Sequence, residues 1–200
     1  MSKGLLIILS GPSGAGKGTV LKRVREKLPG LQVSVSATTR LPREGEENGV
    51  HYHFISRDDF ERTIDQNGLL EYACYCDNYY GTLKAPVEQW REKGLDVVLE
   101  IEVQGAVKVL KQCPDAVSVF VTPPSLQELE RRLINRRTET SEAVSKRLKQ
   151  ARAELSRIEN YQYLVINDDI ETAAGQIVSI IEAEKCRLSR NREFLGEMQV

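Results

Sequence analysis

The stretch that most restricts how this chain can fold is "GPSGAGKGT", Gly11 to Thr19, which follows directly on the apolar run Leu5 to Leu9. The pattern G-x-x-x-x-G-K-[ST] is met at Gly11, Gly16 and Lys17, except that Gly18 stands where a hydroxyl residue is usual and Thr19 comes one place later. A short apolar run ended by a Gly-Pro turn reads as a buried strand. Val20, Leu21, Val24 and Leu28 then recur at helical spacing. Strand, glycine turn and helix in that order make a phosphate cradle: backbone N–H groups turn inward, the helix offers its positive end, and the lysine reaches the terminal phosphates. Gly11, Pro12, Ser13, Gly14, Ala15, Gly16, Lys17, Gly18 and Thr19 are therefore the expected contacts to a nucleoside triphosphate. A turn serving chain geometry alone would not need Lys17. With no hydroxyl at 18, Mg²⁺ is expected to be held mainly through waters and nucleotide phosphates, with Thr19 and Glu100 near it.

The rest of the chain repeats the alternation. Apolar runs at Val97–Ile101, Val117–Val121 and Tyr163–Ile166 read as further buried parallel strands. Helical spacing returns at Val107 with Leu110, at Leu126 with Leu129 and Leu133, and at Ile177 with Ile180 and Ile181. This predicts an α/β fold built on a parallel sheet, with ligands at the carboxyl ends of its strands. Two segments break the rhythm. From Val33 to Tyr80 the period drops to two among Gly, Pro, Asn and Asp, which predicts an antiparallel insertion containing a short helix around Phe60 and Ile64. From Ser125 to Arg157 the chain is helical and rich in cations, a pattern that a solvated helix face explains equally well. The expected division is a single domain with its core at 1–33, 86–125 and 156–200, an insertion at 34–85 and a helical lid at 126–155.

Composition narrows the partners. A formal charge of -1 and 28% charged residues suit neither a nucleic-acid-binding polycation nor an acidic tail. The N-terminal apolar run is too short for a signal peptide or a membrane span, so the chain is expected in the cytoplasm, as a monomer or homodimer. Cys74, Cys76, Cys113 and Cys186 fit no zinc or redox spacing and are expected as buried or half-buried thiols. His51 and His53 have no third metal ligand nearby in sequence.

Several blocks in series carry a resemblance: "SVSATTRLPREGE", "NGVHYHF", "NYYGT", "EIEVQGA", "PPS", "RRTET" and "INDD". From the glycine loop to about Asp169 the chain resembles the guanylate kinases, the ATP:GMP phosphotransferases. The resemblance implies a P-loop kinase core with an inserted mixed α/β GMP-binding subdomain and a helical lid. It implies that Ser36, Glu71, Thr82 and Glu102 surround the guanine, and that Arg40, Arg43, Tyr52 and Tyr80 hold the GMP phosphate. Arg132, Arg136 and Arg147 would close over the ATP phosphates and join Lys17 and Arg40 in catalysis, and Asn167 would meet the adenine side of ATP. Where the family commonly has "DID" this chain has "EIE", so Glu100 and Glu102 are each a methylene longer. Two other readings share these residues. A kinase for another phosphate acceptor would have no reason to keep Glu71 and "NYYG", and a binding module no reason to keep Lys17 and the arginines.

Overall fold

A computed structural model describes residues 3–75, 77–134, 141–192 and 196, with the side chains of 141–144 left out. Arg136, expected over the ATP phosphates, and Cys76 lie outside the described residues. Nine strands and seven helices are described: β1 (Leu6–Ser10), α1 (Lys17–Lys27), β2 (Gln32–Val33), β3 (Ala37–Thr38), β4 (His53–Phe54), α2 (Arg57–Asp65), β5 (Leu69–Tyr75), β6 (Asn78–Leu83), α3 (Lys84–Glu92), β7 (Val97–Glu100), α4 (Val103–Gln112), β8 (Val117–Thr122), α5 (Leu126–Ile134), α6 (Ser141–Leu155), β9 (Tyr163–Ile166) and α7 (Ile170–Lys185).

Five of the strands form one parallel sheet in the order β2-β7-β1-β8-β9. The first strand is therefore central, and its side chains alternate between two cores. Leu5, Ile7 and Leu9 join Val20, Val24, Ala174 and Ile177 of α1 and α7, while Leu6 and Ile8 join Val87, Ala106 and Val109 of α3 and α4. Burial on both faces explains why β1 reads as a continuous apolar run rather than an alternating one. Each such side chain contributes about 1.5–3 kcal/mol on removal from water.

The remaining four strands form a second sheet, β4-β3-β6-β5, whose core is Ala37, Phe60 and Leu69. Two details depart from the sequence reading. Val33, which opens the period-two stretch, pairs with Val98 in the main sheet and so belongs with the core; a two-residue edge strand is too short to show a period. The insertion is not wholly antiparallel either, since β3 runs parallel to β4 and antiparallel only to β6. The cysteine expectation also fails in part. Cys113 is half-buried, but Cys74 and Cys186 are exposed, the first because β5 runs out beyond the layer that covers its base.

The insertion is stitched to the core along α4. Leu70 lies in the α3–α4 core, Gln112 Nε2 donates to the Leu70 carbonyl at 3.0 Å, and Lys108 Nζ donates to that of Tyr72 at 2.6 Å. A register shift in the β5–β6 pairing between Leu69 and Glu71 sets Glu71 directly opposite Thr82. Such bulges turn a side chain toward a new target, and here the target is the space between the two sheets.

Candidate active site

The glycine loop leaves the carboxyl end of β1 and enters α1. Gly11 and Gly16 have φ of 142° and 85°, and Gly16 is the N-cap. The other side of Gly11 is closed by the Val121 carbonyl, inside the reach of any Cβ. Gly11→Ala should therefore lose about 3 kcal/mol or more of stability in a urea titration, from left-handed strain and overpacking together. A loss below about 1 kcal/mol would show that β8 does not fix the loop as described.

Helix α1 is unlike α2 and α7 at its start. Ser56 and Asp169 cap those two through Asp59 N and Thr172 N, whereas α1 has no side-chain cap and no acid in its first turn. Helices α3 and α4 share that bare start, so what sets α1 apart is the glycine loop in front of its positive end. Lys17 arches back over the loop, its Nζ donating to the carbonyls of Gly11 at 2.6 Å and Pro12 at 3.1 Å. Ser13, Gly14, Gly16, Lys17, Gly18, Thr19 and Glu100 line a cavity of about 280 Å³. Gly18 lies against Glu100, whose carboxylate oxygens would stand 3.5 and 3.6 Å from a Cβ there. Asn167 is 3% exposed and donates through Nδ2 to the Ala15 carbonyl at 2.8 Å, so in this structure it braces the loop from beneath.

A second cavity, of about 330 Å³, opens between the two sheets and is lined by Ser36, Tyr52, Glu71, Ala73, Tyr75, Tyr80, Gly81, Glu100, Ile101 and Glu102. Glu100 forms part of both walls. Burial pushes its carboxyl above the usual range, and the Lys17 ammonium opposes that shift. Glu71 is likewise pushed up by burial, against the Thr82 hydroxyl, which donates to its Oε1 at 2.8 Å. Thr82, expected beside the base, is 1% exposed and stands behind Glu71 rather than on the cavity wall.

Arg40 lies at the mouth, its guanidinium 5.4 Å from the Tyr52 ring centroid. Glu46 grips it with both oxygens, at 2.8 and 2.9 Å, and accepts the Arg43 backbone N–H at 2.7 Å. This partner was missed in the sequence, where the acids of "PREGEEN" are indistinguishable from turn residues. Arg43 itself is exposed. The Arg40 contact holds the Glu46 carboxyl down at about 2. A carboxyl depressed by folding stabilises the fold above the ordinary carboxylate range and loses that contribution as pH falls toward 2. Glu46→Gln should thus lower the melting temperature most near neutrality, and the gap to the parent should close on acidification. An equal gap at pH 7 and pH 3 would contradict the pairing.

On α5, Arg132 donates to Glu128 at 2.7 Å and to the Asn167 carbonyl at 3.0 Å, while Arg147 is half-buried on α6. Glu154, also on α6, is pushed up by burial, and the charges of Glu102 and Lys17 act on it as well. Among the described residues no group of three or more His, Cys, Asp or Glu could hold a metal ion, His51 and His53 included.

A family model described as guanylate kinase matches residues 3–184. The chain belongs to the guanylate kinase family. It is 51% identical over 187 residues to the guanylate kinase of Desulfitobacterium hafniense, covering 94% of each chain. It is 50% identical over 201 residues to that of Latilactobacillus sakei, covering 98% of this chain and 99% of the relative. Among solved structures, the guanylate kinase from Anaplasma phagocytophilum superposes with a TM-score of 0.77 at 35% identity, covering 97% of this chain and 94% of that one.

Proposed function

We propose that this chain transfers the γ-phosphoryl group of ATP to GMP, giving ADP and GDP. The observation that carries the reading is the pair of adjoining cavities that share Glu100, one floored by a phosphate loop and the other holding a half-buried carboxylate at the edge where guanine would be read. A carboxylate accepts from both the N1–H and N2–H of guanine, whereas adenine presents an acceptor at N1. Glu71 is the base-reading group on this account, with Ser36 and Glu102 beside it and Thr82 holding it. Tyr52, Tyr80, Arg40 and Arg43 take the GMP phosphate. Arg40 keeps donors for it, because Glu46 and the Leu41 carbonyl occupy three of its five.

The acceptor phosphate has a second pKa near 6, so at neutral pH it is already a nucleophile and needs no general base. What remains is to set it in line with the γ-phosphoryl and to offset the spreading charge. Lys17, the loop amides, Arg132, Arg136 and Arg147 do this from the ATP side, with Asn167 toward the adenine. The hard oxygens of Glu100 and Thr19 on the loop cavity wall fit Mg²⁺, which takes few protein ligands and keeps its waters. When bound with ATP that ion supplies charge neutralisation at the transferred phosphate. Segments 34–85 and 126–155 act as the GMP-binding part and the lid around the remaining core. No helix among the described residues is long and apolar enough to cross a membrane. We place the activity in cytoplasmic purine nucleotide metabolism, carried by a monomer or homodimer.

The test is ATP-dependent ADP formation with Mg²⁺ and a panel of GMP, dGMP, AMP, CMP and UMP. Turnover strongest with GMP is expected. Turnover confined to a non-guanine acceptor would overturn the substrate, and none with any acceptor would overturn the reaction.

A further inference from the structure

Gly105 sits in the first turn of α4, buried against the flank of Glu71. A Cβ built on it would stand 2.7 Å from Glu71 Oε2, 3.1 Å from Cδ and 3.4 Å from Cγ. The φ of Gly105 is not in the left-handed region, so the backbone gives no reason for glycine here. Glycine in a helix costs stability relative to alanine. The missing side chain is therefore explained by what it would touch, and its three nearest contacts are all to the Glu71 side chain. The carboxylate is held from two directions: the Thr82 hydroxyl fixes Oε1, and the bare face of α4 receives Oε2. We infer that Gly105 is a positioning residue for guanine recognition: the absence of a side chain there sets where the Glu71 carboxylate stands, and with it the preference for GMP.

This inference rests on the base-reading role of Glu71 given above. A methyl group at 105 meets the end of a flexible side chain rather than backbone, so the fold survives by letting the carboxylate swing away. Recognition does not survive that, because a displacement of about 1 Å in a positioned group costs up to about a hundredfold. The ATP cavity is untouched, since Gly105 does not line it.

The experiment compares the parent, Gly105→Ala, Glu71→Asp, the double variant and Glu71→Gln, measuring kcat and KM for GMP and for ATP and the melting temperature of each. Gly105→Ala should lower kcat/KM for GMP by about 10- to 100-fold while the ATP KM and the melting temperature hold. The aspartate of Glu71→Asp is a methylene shorter and withdraws from α4. In that background Gly105→Ala should cost less than about threefold, a non-additivity that two groups in contact show. Parent-like GMP kinetics in Gly105→Ala would overturn the inference. So would an equal loss in both backgrounds, or a matching loss of ATP affinity, because either marks a general packing role. If Glu71→Gln leaves GMP turnover intact, the base-reading role falls and this inference falls with it. If Glu71→Gln is impaired and Gly105→Ala is not, only this inference fails.

Discussion

Lys17→Ala is expected to lower kcat by about a thousandfold while the KM for GMP changes by less than about threefold. The asymmetry follows from the two cavities. Lys17 lines the one beneath the glycine loop and is absent from the wall of the other, which it meets only through Glu100. Its ammonium is already drawn over the loop by the carbonyls of Gly11 and Pro12, so it need not be recruited from solvent when a phosphate arrives. A preorganised charge aimed where negative charge develops contributes about 3–4 kcal/mol to the transition state. Single-turnover kinetics at saturating ATP separates this from weaker ATP binding. Turnover within about tenfold of the parent would remove Lys17 from the chemistry.

Glu71→Gln should lower kcat/KM for GMP by on the order of a thousandfold. One hydrogen bond to a charged acceptor is lost at about 2 kcal/mol, the other loses its charge, and the amide N–H that replaces the lost acceptor faces an N–H of the base at a cost of about 1–3 kcal/mol. AMP should lose nothing. The pH profile gives a second reading of the same group. Burial raises the Glu71 carboxyl, so its acid limb in kcat/KM for GMP should lie above the ordinary carboxylate value near 4.3. The GMP phosphate also titrates near 6, so the decisive comparison is between parent and variant: the limb that disappears in Glu71→Gln belongs to Glu71. An unchanged profile would assign the limb to the substrate. The stability effect runs the other way from that of Glu46, because a raised carboxyl costs folding free energy once pH climbs past the ordinary carboxylate range.

How much of this could be read in the sequence depends on how local each signal is. The loop is nearly self-describing, since its turn, its helix start and its lysine lie within nine residues, and the structure gives Gly11 and Gly16 the conformations the pattern needs. Val97–Glu100 and Val117–Thr122 were legible for a related reason: burial on both faces leaves continuous apolar runs. The two-residue strands were not, because Gln32–Val33 and Ala37–Thr38 draw their definition from distant partners. The same holds for the site. Glu71 stands out as an acid in an apolar stretch, but the hydrogen bond it accepts from Thr82 depends on a register shift that no spacing reveals. Glu46 and Gly105 act by contact across 6 and 34 positions, and each looked like ordinary turn or helix chemistry until the chain was folded.

The bracing of the glycine loop has a consequence for how the molecule comes into being. Its motif is complete by residue 19, yet the loop rests on the Val121 carbonyl and on Asn167, whose amide reaches Ala15 across 152 positions. The central strand likewise waits for β7 and β8, made about a hundred residues later. A nascent chain therefore leaves the ribosome carrying the full motif without a shaped receptor for phosphate, and acquires one only when the segment around Asn167 has emerged. Nucleotide cannot guide the early collapse of this chain. It stabilises, by mass action, only molecules whose synthesis has passed that point.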